Sequence, residues 1–135
     1  MGERVLSGRC YCGAVEYRVP DEFVYAANCH CSNCRRTTGS AFKPFAGIER
    51  AKLTVTQGAD KLMIYGESDG NNTHCLLCGS VLYSVVREGA WVHVAMGTLT
   101  DDPTIRPTKH LFVESKAPWY AITDDLPQYA EFAQD

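Results

Sequence analysis

The chain has 135 residues, 13 basic against 16 acidic, and a formal net charge of −3. That length fits one domain over residues 1–135 with room for a modest core. The negative balance argues against a generic phosphate-backbone binder, and no apolar run approaches the roughly 20 residues of a membrane-spanning helix. The opening Met1-Gly-Glu-Arg-Val-Leu-Ser7 is charged and lacks an apolar signal core. Leu6 stands where a myristoylation motif after Gly2 wants Ser or Thr. A cytoplasmic setting is expected, and the odd cysteine count speaks against a disulfide framework.

Gly13–Val19 alternates and stops at Pro20, the pattern of a strand. Val24–Cys29 is a short apolar run, and one or two helical turns are expected from near Ser32. Lys52–Thr56 and Lys61–Tyr65 read as strands parted by the turn residues Gln57-Gly-Ala-Asp60. Ser68–Asn72 reads as a loop. Ser80–Val86 and Ala90–Ala95 read as a hairpin around Arg87-Glu-Gly89. Thr100–Thr104 reads as another loop and Lys109–Val113 as a late strand. Leu126–Ala133 is expected to be helical, with Pro127 tolerated in its first turn. The predicted class is mainly β, with short antiparallel strands pinned by metal and few short helices.

The metal enters through seven cysteines in three clusters: Cys10-Tyr-Cys12, Cys29-His-Cys31-Ser-Asn-Cys34 and Cys75-Leu-Leu-Cys78. Thiolates this close in sequence are characteristic of zinc sites, and iron–sulfur ligation draws on the same soft donors. Glycine follows Cys12 and Cys78 but not Cys34, which Arg35-Arg36 follow. Glycine permits the torsions of a tight metal-binding turn. The asymmetry favours a closed site of Cys10, Cys12, Cys75 and Cys78 and an open site of Cys29, Cys31 and Cys34. A rival partition joins Cys31 and Cys34 to Cys75 and Cys78. Two zinc ions are expected, the four-cysteine one structural and the three-cysteine one catalytic.

The strings Gly8-Arg-Cys-Tyr-Cys-Gly-Ala-Val15, Cys29-His-Cys-Ser-Asn-Cys-Arg-Arg-Thr-Thr-Gly-Ser-Ala-Phe42, Cys75-Leu-Leu-Cys-Gly79 and Ser115-Lys-Ala-Pro-Trp119 closely resemble the glutathione-dependent formaldehyde-activating enzyme family. That family includes centromere protein V. The resemblance implies a β-tent fold of coiled antiparallel sheets and two zincs divided as above. It also implies a carbon–sulfur lyase of the S-(hydroxymethyl)glutathione synthase type, acting on a small-molecule thiol and an aldehyde. The alternatives are a non-catalytic zinc-binding interaction module and a redox or metal-handling protein.

Three thiolates on a divalent zinc leave an ion suited to a soft fourth ligand such as a thiol. Arg35 and Arg36 are candidates to offset negative charge and to meet substrate carboxylates. His110 is a candidate lining residue and proton shuttle. His30 alternates with its flanking cysteines and is expected to face away from their metal. His74 is a candidate neighbour of the closed site, and His93 is expected to pack. Lys116 is expected to pair with a carboxylate or approach substrate, and Pro118 and Trp119 to buttress a loop. No serine elbow, phosphate-cradling loop or His-Glu-x-x-His helix is present.

Overall fold

The computed structural model describes residues 4–133; residues 1–3, Gly2 among them, and 134–135 lie outside the described residues. Ten strands and one α-helix account for its regular structure, with five short 3₁₀ turns between them. They are β1 (Val5–Arg9), β2 (Glu16–Pro20), β3 (Tyr25–Cys29), α1 (Ser32–Thr38), β4 (Lys43–Glu49), β5 (Thr54–Gln57), β6 (Leu62–Glu67), β7 (Gly70–Cys75), β8 (Val81–Val86), β9 (Trp91–Ala95) and β10 (His110–Leu111). The mainly β class read from the sequence is the one observed. No helix among the described residues is long and apolar enough to cross a membrane.

Two sheets divide the strands. A three-stranded sheet runs β1-β2-β5, and a seven-stranded sheet runs β10-β3-β4-β9-β8-β7-β6. The named pairings are antiparallel except β10 with β3. Period-two alternation sends Leu6, Tyr17 and Val19 from the small sheet against Ile48, Leu82, Val92 and Val94 from the large one. Each such burial stabilises the fold by roughly 1.5–3 kcal/mol. Gly8 lies opposite Tyr17 in the β1–β2 register. A Cβ at Gly8 would stand 2.2 Å from Tyr17 Cζ, so only glycine lets that buried ring lie across β1.

Three strands were not anticipated. β1 lies in the charged opening stretch that carried no strand signal. β4 begins Lys43-Pro44, and a proline argues against a central strand. The register explains the tolerance: the Asn28 N–H turns to Lys109 O on the far side, so Asn28 and Pro44 exchange no ladder bonds. On the other side of β4 the β9 ladder starts only at Phe45. The absent N–H of Pro44 therefore leaves no partner unsatisfied. β7 overturns part of the expected Ser68–Asn72 loop, because Gly70–Asn72 pair with β6 and only Ser68-Asp69 turn.

The expected Leu126–Ala133 helix is absent; the segment is irregular and extended. Its backbone is taken up by the sheet edge. The His110 N–H donates to Pro127 O at 2.8 Å, the Tyr129 N–H to His110 O at 2.9 Å and the Phe112 N–H to Glu131 O at 2.9 Å. A helix of two turns is marginal alone, so pairing with an open strand wins.

Candidate metal centres

The seven cysteines fall into two groups. Cys10, Cys12, Cys75 and Cys78 have sulfurs all within 4.8 Å of one another, and so do Cys29, Cys31 and Cys34. All seven are free of disulfides.

The first group is built from two matching turns. Cys10 directly follows β1, and its sulfur accepts the Val15 N–H at 3.3 Å. Cys75 closes β7, and its sulfur accepts the Cys78 N–H at 3.4 Å while the Gly79 N–H reaches Cys75 O at 2.9 Å. Gly13 and Gly79 have φ of +82° and +83°, the left-handed conformation that the glycine reading required. Cys10 and Cys12 sulfurs are 3.7 Å apart, Cys12 and Cys75 sulfurs 3.8 Å. Two thiolates on one tetrahedral ion at about 2.3 Å stand about 3.8 Å apart, so this donor set fits a single zinc-sized ion. The Ser80 hydroxyl at 3.1 Å, helped by the Ser80 N–H, holds the Cys78 thiol down to about 5. The group ties the small sheet to the large one. The His74 ring, beside Cys75, bonds Gly79 O at 3.1 Å through Nδ1.

The second group lies on one continuous stretch. Cys29 ends β3, Cys31 caps α1 and Cys34 sits in its first turn. The Cys31 sulfur accepts the Cys34 N–H at 3.3 Å, taking the role a serine or aspartate plays at other helix starts. Gly39 ends the helix at φ +64°, with its N–H on Arg35 O. No fourth His, Cys, Asp or Glu among the described residues joins these three sulfurs. The hydrogen bond from Cys34 holds Cys29 down to about 6, and the same bond and burial push Cys34 up. Three such thiols need a cation between them to ionise together.

Cys29 pairs with Lys43 across β3 and β4, so their side chains share one face of the large sheet. On this face Lys43 Nζ donates to Ser84 Oγ at 2.7 Å, and Ser84 donates to Asn72 Oδ1 at 2.6 Å. Asn72 in turn lines a cleft of about 400 Å³ with Tyr65 and with Asn33, Arg36 and Thr37 of α1. Further along the face the Tyr25 hydroxyl meets His93 Nε2 at 2.7 Å, and His93 stacks on Phe45. Burial, then the charges of Lys43 and Arg87, hold His93 down to about 4.

His30 and His110 sit together, and neither joins a sulfur group. His30 Nε2 lies 2.8 Å from His110 Nδ1, and His110 Nε2 lies 3.0 Å from Asp124 Oδ1. The Leu126 N–H and then His110 keep Asp124 below the usual carboxylate range. An ionised Asp124 makes His110 Nε2 the donor of that bond. His30 Nδ1 is buried and has no hydrogen-bond partner. Arg35 is half-buried with its Nε unpartnered; Arg36 is exposed and bonds Asn33. Lys116 bonds the carbonyls of Ala117 and Tyr120 rather than a carboxylate, and Trp119 is exposed rather than buttressing a loop. Lys43, Ser84, Asn72 and Asp124 were missed. The sheet register brings the first three to these positions, Asp124 reaches His110 from the irregular segment after β10, and no spacing motif marks any of them.

The family model for glutathione-dependent formaldehyde-activating enzymes matches residues 5–115. The chain belongs to this family. A Halomonas elongata protein named for the formaldehyde-activating family is 33% identical over 129 residues, covering 87% of this chain and 81% of its own length. An uncharacterised lyase of Schizosaccharomyces pombe is 24% identical over 105 residues, covering 73% of this chain and 75% of its own. The crystal structure of a Rhodobacter sphaeroides protein superposes with a TM-score of 0.59 at 29% identity, over 75% of this chain and 91% of that one. Both cysteine groups and the cleft residues named above fall inside the family match.

Proposed function

We propose that this formaldehyde-activating family member is a zinc-dependent carbon–sulfur lyase that joins a small-molecule thiol to an aldehyde. Glutathione and formaldehyde are the pair its family name supplies. The observation that carries this reading is the group of Cys29, Cys31 and Cys34, three sulfurs within 4.8 Å with no fourth protein ligand among the described residues. A closed site has four ligands, whereas a catalytic one leaves a position for substrate. Cys10, Cys12, Cys75 and Cys78 would hold the structural zinc and Cys29, Cys31 and Cys34 the catalytic one. When bound, the second zinc supplies a soft Lewis acid that favours the ionised form of an incoming thiol.

The chain's own residues do the rest. The Arg36 guanidinium, with Asn33, Thr37 and Asn72, gives the cleft one cation and several amide and hydroxyl groups, a lining suited to a carboxylate-bearing peptide thiol. In the addition the thiol loses its proton, its sulfur bonds the carbonyl carbon and the carbonyl oxygen takes a proton. No oxidant or reductant is consumed. Holding the two reactants side by side lowers the entropic part of the barrier. Formation of the glutathione–formaldehyde adduct by zinc-loaded protein, corrected for the spontaneous reaction, tests the reading. Acceleration that disappears in a folded Cys31→Ser variant is expected. No acceleration across a wide range of thiol and aldehyde concentrations rejects it.

A further inference from the structure

Lys43 is a lysine in the wrong place for a surface charge. It is 4% exposed. Among the described residues its one side-chain hydrogen bond is to the neutral hydroxyl of Ser84, which donates its own proton to Asn72. Among the described residues no carboxylate pairs with it. A buried ammonium with only neutral partners is costly, and such groups are retained where a counter-charge lies close.

The cysteine group is a source of negative charge at hand. Lys43 stands directly across from Cys29, and Phe45, two positions along the same face, packs with Cys29, Cys31 and Cys34. We infer that Lys43 is the counter-charge of the three-cysteine metal site, held there by Ser84 and Asn72. The charge count closes: three thiolates around a divalent ion leave one negative charge, and one ammonium cancels it. Burial, the larger effect, leaves the Lys43 pKa lowered, and the fields of Cys34, Cys29 and Cys31 oppose that shift. The four-cysteine site has less need of such a partner, because its Cys12 is exposed and water screens the charge. Lys43 is thus a positioning residue that acts through the cysteines, and Ser84 and Asn72 fix the direction of its ammonium.

This inference rests on reading Cys29, Cys31 and Cys34 as metal ligands, and the experiment separates the two. Full-length protein is loaded with zinc, its metal content measured, and each zinc withdrawn by a graded series of chelators. Wild type is expected to hold two zincs per chain. Lys43→Met is expected to weaken the second by roughly 10- to 100-fold, the usual effect of removing an outer partner of a metal site, and to leave the first unchanged. Lys43→Arg restores the second zinc, and Ser84→Ala, which keeps the charge, weakens it less than Lys43→Met does. Lys43→Gln, neutral but able to bond Ser84, repeats the comparison should Lys43→Met fail to fold. Wild-type affinity at the second site in both neutral variants overturns the inference. Equal weakening at both sites does the same, since it marks Lys43 as a packing residue. A wild type that holds only one zinc refutes the metal reading itself.

Discussion

Replacing Cys75 and replacing Cys31 should have unequal effects on stability. Cys12 and Cys75 are 63 residues apart in sequence, with sulfurs 3.8 Å apart across the two sheets. An ion held between them restrains the unfolded chain as a covalent cross-link does. For a loop of that length the chain-entropy relation gives about 4 kcal/mol. The second group closes only the Cys29–Cys34 stretch, a loop of about five residues, for which the same relation gives about 2 kcal/mol. Cys75→Ser should therefore cost about 2 kcal/mol more than Cys31→Ser, before counting the burial of Cys75. At roughly 4 °C per kcal/mol for a chain of this size, the gap in Tm is about 8 °C. Thermal unfolding of the zinc-loaded variants, followed by circular dichroism with metal content measured in parallel, reads it directly. Equal falls in Tm, or a deeper fall for Cys31→Ser, would refute the reasoning that one site is a tertiary cross-link and the other a local one.

Three further outcomes follow from the packing and the charges. Gly8→Ala should destabilise by about 3 kcal/mol, the upper part of the overpacking range, because its Cβ meets the fully buried Tyr17 ring. Gly47→Ala should cost less, about 2 kcal/mol, since the Tyr25 ring it meets is only half-buried but gives up its His93 bond if it moves; a reversed order in chemical denaturation contradicts this. His93 has a folded pKa of about 4, below its ordinary 6.5, so its contribution is fully present above 6.5 and is lost as pH falls toward 4. The Tm of wild type should accordingly drop more steeply across that window than that of His93→Gln, in which Tyr25, Lys43 and Arg87 keep a neutral neighbour; parallel curves count against it. A folded Cys34→Ser variant should lose adduct formation from glutathione and formaldehyde while retaining one zinc, and retention of full activity would remove Cys34 from the site.

Much of this was legible because the strongest signals were local. The grouping of Cys10 and Cys12 with Cys75 and Cys78 followed from glycine placement, and Gly13 and Gly79 do take the left-handed torsions those turns need. Strands β2, β8 and β9 alternate clearly, since one face of each packs in the core. β4 and β7 were hidden for a physical reason. Their site-facing positions carry Lys43 and Asn72, polar groups that a half-buried sheet over an apolar core would not hold. The same residues that make the face chemically useful erase its periodicity. The Lys43–Ser84–Asn72 line joins β4 to the β7–β8 pair, with Ser84 41 residues beyond Lys43, so nothing short of the register reveals it. The Leu126–Ala133 segment misled in the opposite sense: its local pattern allows a helix, but its backbone donors and acceptors are claimed by β10.

That last pairing bears on the order in which the molecule is built. β3, which ends in Cys29, has β4 on one flank and β10 on the other, and β10 is only two residues long, braced from outside by residues 127–131. A chain emerging from the ribosome N-terminus first can complete the four-cysteine group once Cys78 is out. The flank of β3 stays open until His110 and the residues that brace it have been made. The four-cysteine group is thus complete before the support beneath the three-cysteine group has been made, so the two groups are assembled in that order.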